Sequence, residues 1–234
     1  MSVGKLGGSI SLKVKITKKD MIWSYIGYFL SLFSSVLVLP FVMKLVPSDE
    51  LGLWYTFLSF GQFVTLLDRT FNTCISRSIT YAWAGMQMIN AEGYNVIKTS
   101  ELGTNFRLLA SIFKTCKKVF GIISIISLAV MASAGTVYIG YIAREMSGIV
   151  WIPAWIIYGV SVFFTIYYSY WTVALNAVGA LKQAQQITVL SKLVYIALSL
   201  AGLLLGYGLI SLTVSNLISG IILRILGKKF LYNY

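Results

Sequence analysis

The chain has 234 residues, of which 58% are hydrophobic and only 11% are charged, with a net charge of +12 and no histidine. Soluble domains have about a quarter of their residues charged. Because the chain has no histidine, imidazole acid–base catalysis and histidine-ligated metal sites are excluded. Its two cysteines are too few for a disulfide framework or a cysteine-only zinc site. The composition therefore favours a membrane protein over a soluble enzyme.

Long apolar stretches follow one another along the chain. A membrane-spanning helix needs about 20 apolar residues. Lys, Arg, Asp and Glu are all absent from residues 21–43, 119–143, 147–181 and 193–223. This pattern predicts an all-α polytopic membrane protein with a bundle of six transmembrane helices, at about 21–46, 51–83, 119–142, 150–175, 186–206 and 208–226.

The charges are distributed unequally between the two predicted sides of the membrane. Basic residues are concentrated in the tail 1–19, in the connection 84–118, at Lys182 and near the C-terminus. The other side has two basic residues against three acidic ones: Lys44 and Arg144, Asp49, Glu50 and Glu145. Because cytoplasmic loops carry the excess of Lys and Arg, both termini are predicted to be cytoplasmic. This placement accounts for the positive charge without nucleic acid as a partner.

The connection 84–118 contains an amphipathic pattern. Apolar and basic residues recur at helical spacing on opposite faces: Leu102, Phe106, Leu109 and Phe113 on one, Arg107, Lys114 and Lys118 on the other. Such a helix is predicted to lie on the inner membrane surface, with its basic groups attracted to anionic lipids. A lipid-linked anionic substrate could use the same charges, although anchoring is the simpler interpretation.

The second predicted helix has an exceptional polar face. Its polar residues fall within an arc of about 80°: Gln62, Thr65, Arg69, Asn72, Ser76 and Thr80. Val64, Phe71 and Ile75 occupy the far side. A charged residue at the membrane centre costs about 2.5–3.5 kcal/mol on insertion scales. The polar face is therefore predicted to face the bundle interior or a hydrated cavity.

Charged residues within the helices are the candidate site. Arg69 is a planar donor suited to phosphate or carboxylate, and Lys192 in the fifth helix adds a second positive group. Arg77 and Lys192 could equally extend to the cytoplasmic headgroups, and Asp68 could pair with a basic group on another helix. The predicted substrate-binding residues are Gln62, Arg69, Asn72, Arg77 and Lys192, with Asp68 in ion coupling or an ion pair.

The sequence has no nucleotide-binding loop, catalytic triad, paired catalytic carboxylates or metal-ligand cluster. We therefore expect no catalytic residue, no cofactor and no enzymatic activity. Energy for any transport would have to come from an ion gradient, from a partner or from the concentration difference of the substrate itself.

Two segments near the N-terminus resemble a known family. "VLVLPFVMKLVPSDELGLWYTFLSF" and "LLDRTFNTCISRSIT" are similar to the N-terminal half of bacterial polysaccharide export proteins, the O-antigen flippases of the multidrug/oligosaccharidyl-lipid/polysaccharide exporter superfamily. The shared features include Gly27, Pro40, Pro47, Asp68 and Arg77. "WTVALNAVGALKQAQQITVLSKLVYIALSLAGLLLGYGL" resembles the join between the family's fourth and fifth helices. Where the family commonly has a small residue after the Asp, this chain has Arg69.

The resemblance implies an inner-membrane transporter with two six-helix lobes, of which residues 20–230 form one. Its substrate would be an undecaprenyl-linked oligosaccharide for lipopolysaccharide or other surface polysaccharide, moved by alternating access. Arg69, Arg77 and Lys192 would bind its pyrophosphate or acidic sugars. A gene fragment and a half-transporter that associates with a second lobe or chain both remain open. The alternatives are a cation-coupled multidrug exporter, disfavoured by the single intramembrane carboxylate, and a non-transporting subunit or gene remnant.

Overall fold

The computed structural model describes residues 18–84, 104–144 and 150–232, without the side chains of residues 19, 20, 35, 67–70, 231 and 232. The basic tail and much of the 84–118 connection lie outside these ranges. Within them the chain is almost entirely helical. The elements are α1 (Lys18–Leu45), α2 (Ser48–Trp83), α3 (Phe106–Val130), a π-helical turn (Met131–Gly135), α4 (Thr136–Ala143), α5 (Trp151–Tyr167), α6 (Ser169–Ala177), α7 (Leu181–Leu204) and α8 (Gly208–Tyr232).

Within the described residues, five helical stretches are long and apolar enough to cross a membrane: Met21–Leu45, Phe106–Ala143, Trp151–Ala177, Leu181–Leu204 and Gly208–Phe230. The predicted sixth, α2, is 36 residues long but is not among them. Its polar face accounts for this, because it reduces the hydropathy of the helix. Large apolar side chains on the outer surface, such as Tyr141 (72% exposed) and Val137 (74% exposed), suit a lipid surrounding. The all-α multi-pass class is therefore confirmed, whereas the count of six crossings is not.

The helices meet at two opposite ends of the bundle. At one end the Leu209 N–H donates to the Glu50 carboxylate across 3.0 Å, so the α1–α2 turn lies beside the α7–α8 turn. At the other, the Asn105 N–H donates to the Ala82 carbonyl across 3.1 Å, and the Thr80 hydroxyl lies 3.1 Å from the carbonyl of Ala177. α1 ends and α8 begins at the first end, because they adjoin the two turns that meet there. The start of α1 and the end of α8, which are the two described chain ends, therefore lie at the second end.

The two tight turns follow from local sequence. A turn at Val46–Pro47 separates α1 from α2, with Pro47 at the N-cap position. The predicted Gly206-Tyr207-Gly208 turn is confirmed, with φ of +81° at Gly206 and +46° at Gly208. Glycine adopts this left-handed region without the steric cost of a Cβ. At Gly208 a Cβ would also collide with the Glu50 carboxylate, which accepts a hydrogen bond from the Leu209 N–H at the start of α8.

The predicted separate surface helix is not observed. Residues 106–118 form the first part of α3, which continues through the π-helical turn and α4 to Ala143. These 38 residues correspond to about 57 Å of helix. Part of the apolar face of the segment packs on protein, since the ring of Phe113 is 5.6 Å from that of Trp171, whereas Phe106 is 69% exposed. Leu102 lies outside the described residues, and the cytoplasmic location of the segment stays a prediction.

An aromatic core joins α2 to α5. The rings of Phe57 and Trp155 are 4.8 Å apart, and Tyr158 lies against both. α2 can approach because Gly61 has no Cβ; one placed there would overlap the Tyr158 hydroxyl. The Trp155 indole donates to the Thr136 hydroxyl across 3.1 Å, next to the π-helical turn.

The predicted fourth helix is divided at Tyr168 into α5 and α6. The Phe164 carbonyl accepts the Tyr168 N–H at 3.2 Å and also the Nε–H of Arg224 at 3.0 Å. A side chain that competes for a carbonyl of the helical ladder is a recognised cause of bending. Since neither Pro nor Gly lies at this point, we attribute the bend to Arg224 on α8.

Candidate functional site

A cavity of about 230 Å³ lies among α1, α2, α7 and α8. Its walls combine apolar residues of α1 and α2, including Val38 and Leu58, with an unusual number of polar groups for a bundle of this composition. The polar lining consists of Tyr55, Gln62, Lys192, Tyr195, Asn216 and Ser219. These residues come from α2 and from the consecutive helices α7 and α8, which lie much later in the chain.

The cavity exists because α1 and α2 separate after their short turn. α1 packs mainly along α7 and contacts α2 only sparsely. Gly27 permits the close α1–α7 packing, since a Cβ there would overlap the side chain of Gln185. α2 is drawn away towards α5 by the contact between Gly61 and Tyr158. The space left between α1 and α2 is therefore set by two glycine contacts, one of α1 with α7 and one of α2 with α5.

Lys192 is the cation of this cavity. It lies eleven residues after Leu181, about 17 Å from the start of α7. Its Nζ is 6.0 Å from the centre of the Tyr195 ring, at the outer limit of a cation–π contact. Among the side chains that the structure describes, none of those lining the cavity is a carboxylate.

The wall formed by α8 is held by hydrogen bonds to its neighbours. The Ser161 hydroxyl donates to the Asn216 side-chain oxygen across 3.1 Å, and the Ser191 hydroxyl donates to the Ser219 carbonyl across 2.8 Å. Sequence reasoning missed Asn216. A signal was present, because Asn216 is the only amide or charged side chain between residues 193 and 223.

The structure brings together two of the predicted site residues, Gln62 and Lys192. Asn72, half-buried, lies ten residues beyond Gln62 and does not line the cavity. Arg77 is exposed six residues before the end of α2, the geometry expected for extension to the headgroups. Asp68 lies with Arg69 in the middle of α2, and their side chains are outside the described part of the structure.

The polar face of α2 does not point into the bundle core. Val64, on the opposite face, is 2% exposed and belongs to the core, whereas Gln62 is exposed and Ser76 is half-buried. At the far end the face packs on protein, where the Thr80 hydroxyl lies within hydrogen-bonding distance of the Ser76 and Ala177 carbonyls. Gln62 borders the cavity, which is one of the two surroundings predicted for this face.

The chemistry of the cavity suits a hydroxylated or anionic ligand. An ammonium supplies three donors, and the Gln62 and Asn216 amides and two tyrosine hydroxyls can donate or accept. Among the described residues no group of three or more Cys, Asp or Glu side chains could hold a metal ion. The site therefore offers recognition by hydrogen bonding and charge.

Comparison of the chain with family models, with curated proteins and with solved structures finds no match. The class of protein that the structure supports is an all-α membrane protein with five candidate membrane-spanning helices. Any narrower functional statement depends on the residues of the cavity and on their surroundings.

Proposed function

We propose that this chain is one lobe of a transporter that moves an undecaprenyl-linked oligosaccharide across the bacterial inner membrane for surface polysaccharide synthesis. α2 would be the sixth crossing, and both termini would be cytoplasmic. The observation that carries the proposal is the polar cavity with Lys192 and Gln62 in an otherwise apolar bundle. A cation at this depth is costly in lipid, so ionisable residues within spanning helices are associated with function.

The positions of the charges support the proposed orientation. Most described basic residues lie at the bundle end that holds both described chain ends, among them Lys18, Lys182 and Lys228. The opposite end has Lys44 and Arg144 together with the acidic pair of α2. Under the positive-inside rule the first end is cytoplasmic.

The size of the cavity supports a second lobe. At about 230 Å³ it is below the roughly 300–1,000 Å³ of small-molecule sites and far below the needs of an oligosaccharide. Gln62 and the half-buried part of the α2 polar face extend beyond it to the outer surface. A second six-helix lobe facing α1 and α2 would enclose this surface, and the pyrophosphate or acidic sugars would meet Lys192 and Arg69 there.

The cavity lining argues against a cation-coupled drug exporter. Such an exporter would offer carboxylates to a cationic drug, whereas the described part of the lining has Lys192 and no carboxylate. A non-transporting subunit makes a different prediction, because loss of Lys192 would then leave surface polysaccharide unchanged.

The test replaces Lys192 in a strain that depends on this chain for export. Lys192→Met should reduce surface polysaccharide by about 10–100-fold, the equivalent of a charge-assisted hydrogen bond of ~1.5–3 kcal/mol. The undecaprenyl-linked precursor should accumulate on the cytoplasmic side. Lys192→Arg, which keeps the charge, should restore part of the export.

Lys182→Met is the matched control, since Lys182 is also on α7 but lies in its first turn, outside the cavity. It should export normally. Normal export by Lys192→Met at unchanged membrane abundance would remove Lys192 from the site. Unchanged polysaccharide after deletion of the whole gene would refute the transport function itself.

A further inference from the structure

A groove on a separate face of the bundle combines aromatic and basic side chains. It measures about 380 Å³ and lies between α8 and the bend that divides α5 from α6. Phe164, Tyr168 and Trp171 line it from the bend, and Arg224 and Lys228 line it from α8. It shares no lining residue with the polar cavity.

Arg224 is held in place at the groove. It is 9% exposed, and its Nε–H donates to the Phe164 carbonyl across 3.0 Å. Lys228 lies four residues after Arg224, and residues at this spacing share a face of a helix. The side chain of Lys228 is exposed. The two cations are therefore arranged in line towards the end of the helix. None of the described residues that line the groove is acidic.

The groove lies near one end of a candidate membrane span. The candidate span in α8 ends at Phe230, two residues after Lys228. Tyr and Trp side chains are enriched at this level of membrane proteins. Along α8, Ile221 lines the groove towards the middle of the span, Ile225 lies between the two cations, and Lys228 lies nearest the end of the span. A chain that runs from the Lys228 end past Ile225 to Ile221 would therefore point towards the middle of the span.

We propose that this groove binds one phospholipid with a net negative headgroup. Its phosphate lies between Arg224 and Lys228, and one acyl chain follows Ile221 and Ile225. Guanidinium groups suit phosphate because their planar donors match its oxygens. A zwitterionic headgroup binds less well, since its own ammonium is repelled by the two cations.

The experiment measures lipid retention by the detergent-purified full chain, stripped of lipid and mixed with phosphatidylglycerol or phosphatidylcholine, in native mass spectrometry. The unmodified protein should retain one phosphatidylglycerol in preference to phosphatidylcholine. Lys228→Gln should lower this retention about fivefold, the effect of one basic residue near an anionic surface. Lys229→Gln removes the same charge from the next position, outside the groove, and should leave retention unchanged.

Equal losses in the two lysine variants would show general surface attraction and overturn the site. Equal retention of the two lipids by the unmodified protein would also overturn it. Glycerol 3-phosphate at millimolar concentration should not displace the lipid, because it lacks the acyl chain that Ile221 and Ile225 contact. Full displacement would mean that the groove is a soluble-phosphate site and would refute a lipid occupant.

Discussion

Two glycines of α2 should respond in opposite directions to the same substitution. A Cβ at Gly61 would overlap the Tyr158 hydroxyl and lie 2.8 Å from Cζ of that ring, whereas a Cβ at Gly52 has no atom within 4 Å. Alanine is favoured over glycine within a helix by about 0.8–1.0 kcal/mol. Gly52→Ala should therefore raise the stability of the protein by up to about that amount.

For Gly61→Ala the helical gain is opposed by overpacking, which costs about 1–3 kcal/mol. Tyr158 has little freedom to move, because it is 5% exposed and its ring lies against Trp54, Phe57 and Trp155. The cost should therefore be near the upper end of that range. After subtraction of the helical gain, we expect a net loss of about 1–2 kcal/mol.

The measurement is the apparent Tm of the detergent-solubilised protein, followed by tryptophan fluorescence. At roughly 2–4 °C per kcal/mol for a chain of this size, Gly61→Ala should lower the Tm by several degrees and Gly52→Ala should raise it. Tyr158→Phe removes the overlapping hydroxyl but not the close Cζ, so it should reduce the loss in Gly61→Ala without abolishing it. A rise in Tm for both glycine variants would refute close packing at Gly61.

Two further predictions concern the ends of the bundle and the cavity. Glu50→Ala should destabilise the protein by about 1–2 kcal/mol, because the Leu209 N–H and the α8 N-terminus lose their carboxylate. Asp49→Ala should lower the stability less. Equal shifts in Tm for the two variants would contradict the contact between Glu50 and α8. In a background without the two native cysteines, Gln62→Cys should react with a membrane-impermeant maleimide, since Gln62 borders the polar cavity. Phe63→Cys should not react, because Phe63 is 69% exposed on the apolar outer surface. Equal labelling at both positions would mean that lipid or water surrounds both.

The elements predicted from sequence were those with a local signal. α1 and α2 follow from apolar length and from Pro47, and the α7–α8 turn follows from its two glycines. Periodicity identified the apolar face at the start of α3, but not what covers it or that the helical stretch continues to Ala143. Phe113 fits a membrane surface and a contact with Trp171 equally well in a single sequence.

The candidate site was accessible to sequence reasoning only in part. Gln62 and Lys192 are conspicuous because they are polar within apolar surroundings, and Asn216 is conspicuous for the same reason. The contact of Arg224 with Phe164 joins residues 60 positions apart. The bend that accompanies it has no Pro or Gly, so no local rule predicts it. Such features depend on which helices become neighbours.

The contacts at the two ends of α8 have a consequence for the order of membrane insertion. Glu50 on α2 meets the start of α8, and the Phe164 carbonyl on α5 meets Arg224 near its end. The ribosome makes α2 and α5 before α8, so both acceptors enter the bilayer ahead of their donors. The bend between α5 and α6 thus acquires its second hydrogen bond only when α8 has been inserted. A nascent chain without α8 leaves the Glu50 carboxylate without the Leu209 N–H and the Phe164 carbonyl with the Tyr168 N–H as its remaining donor.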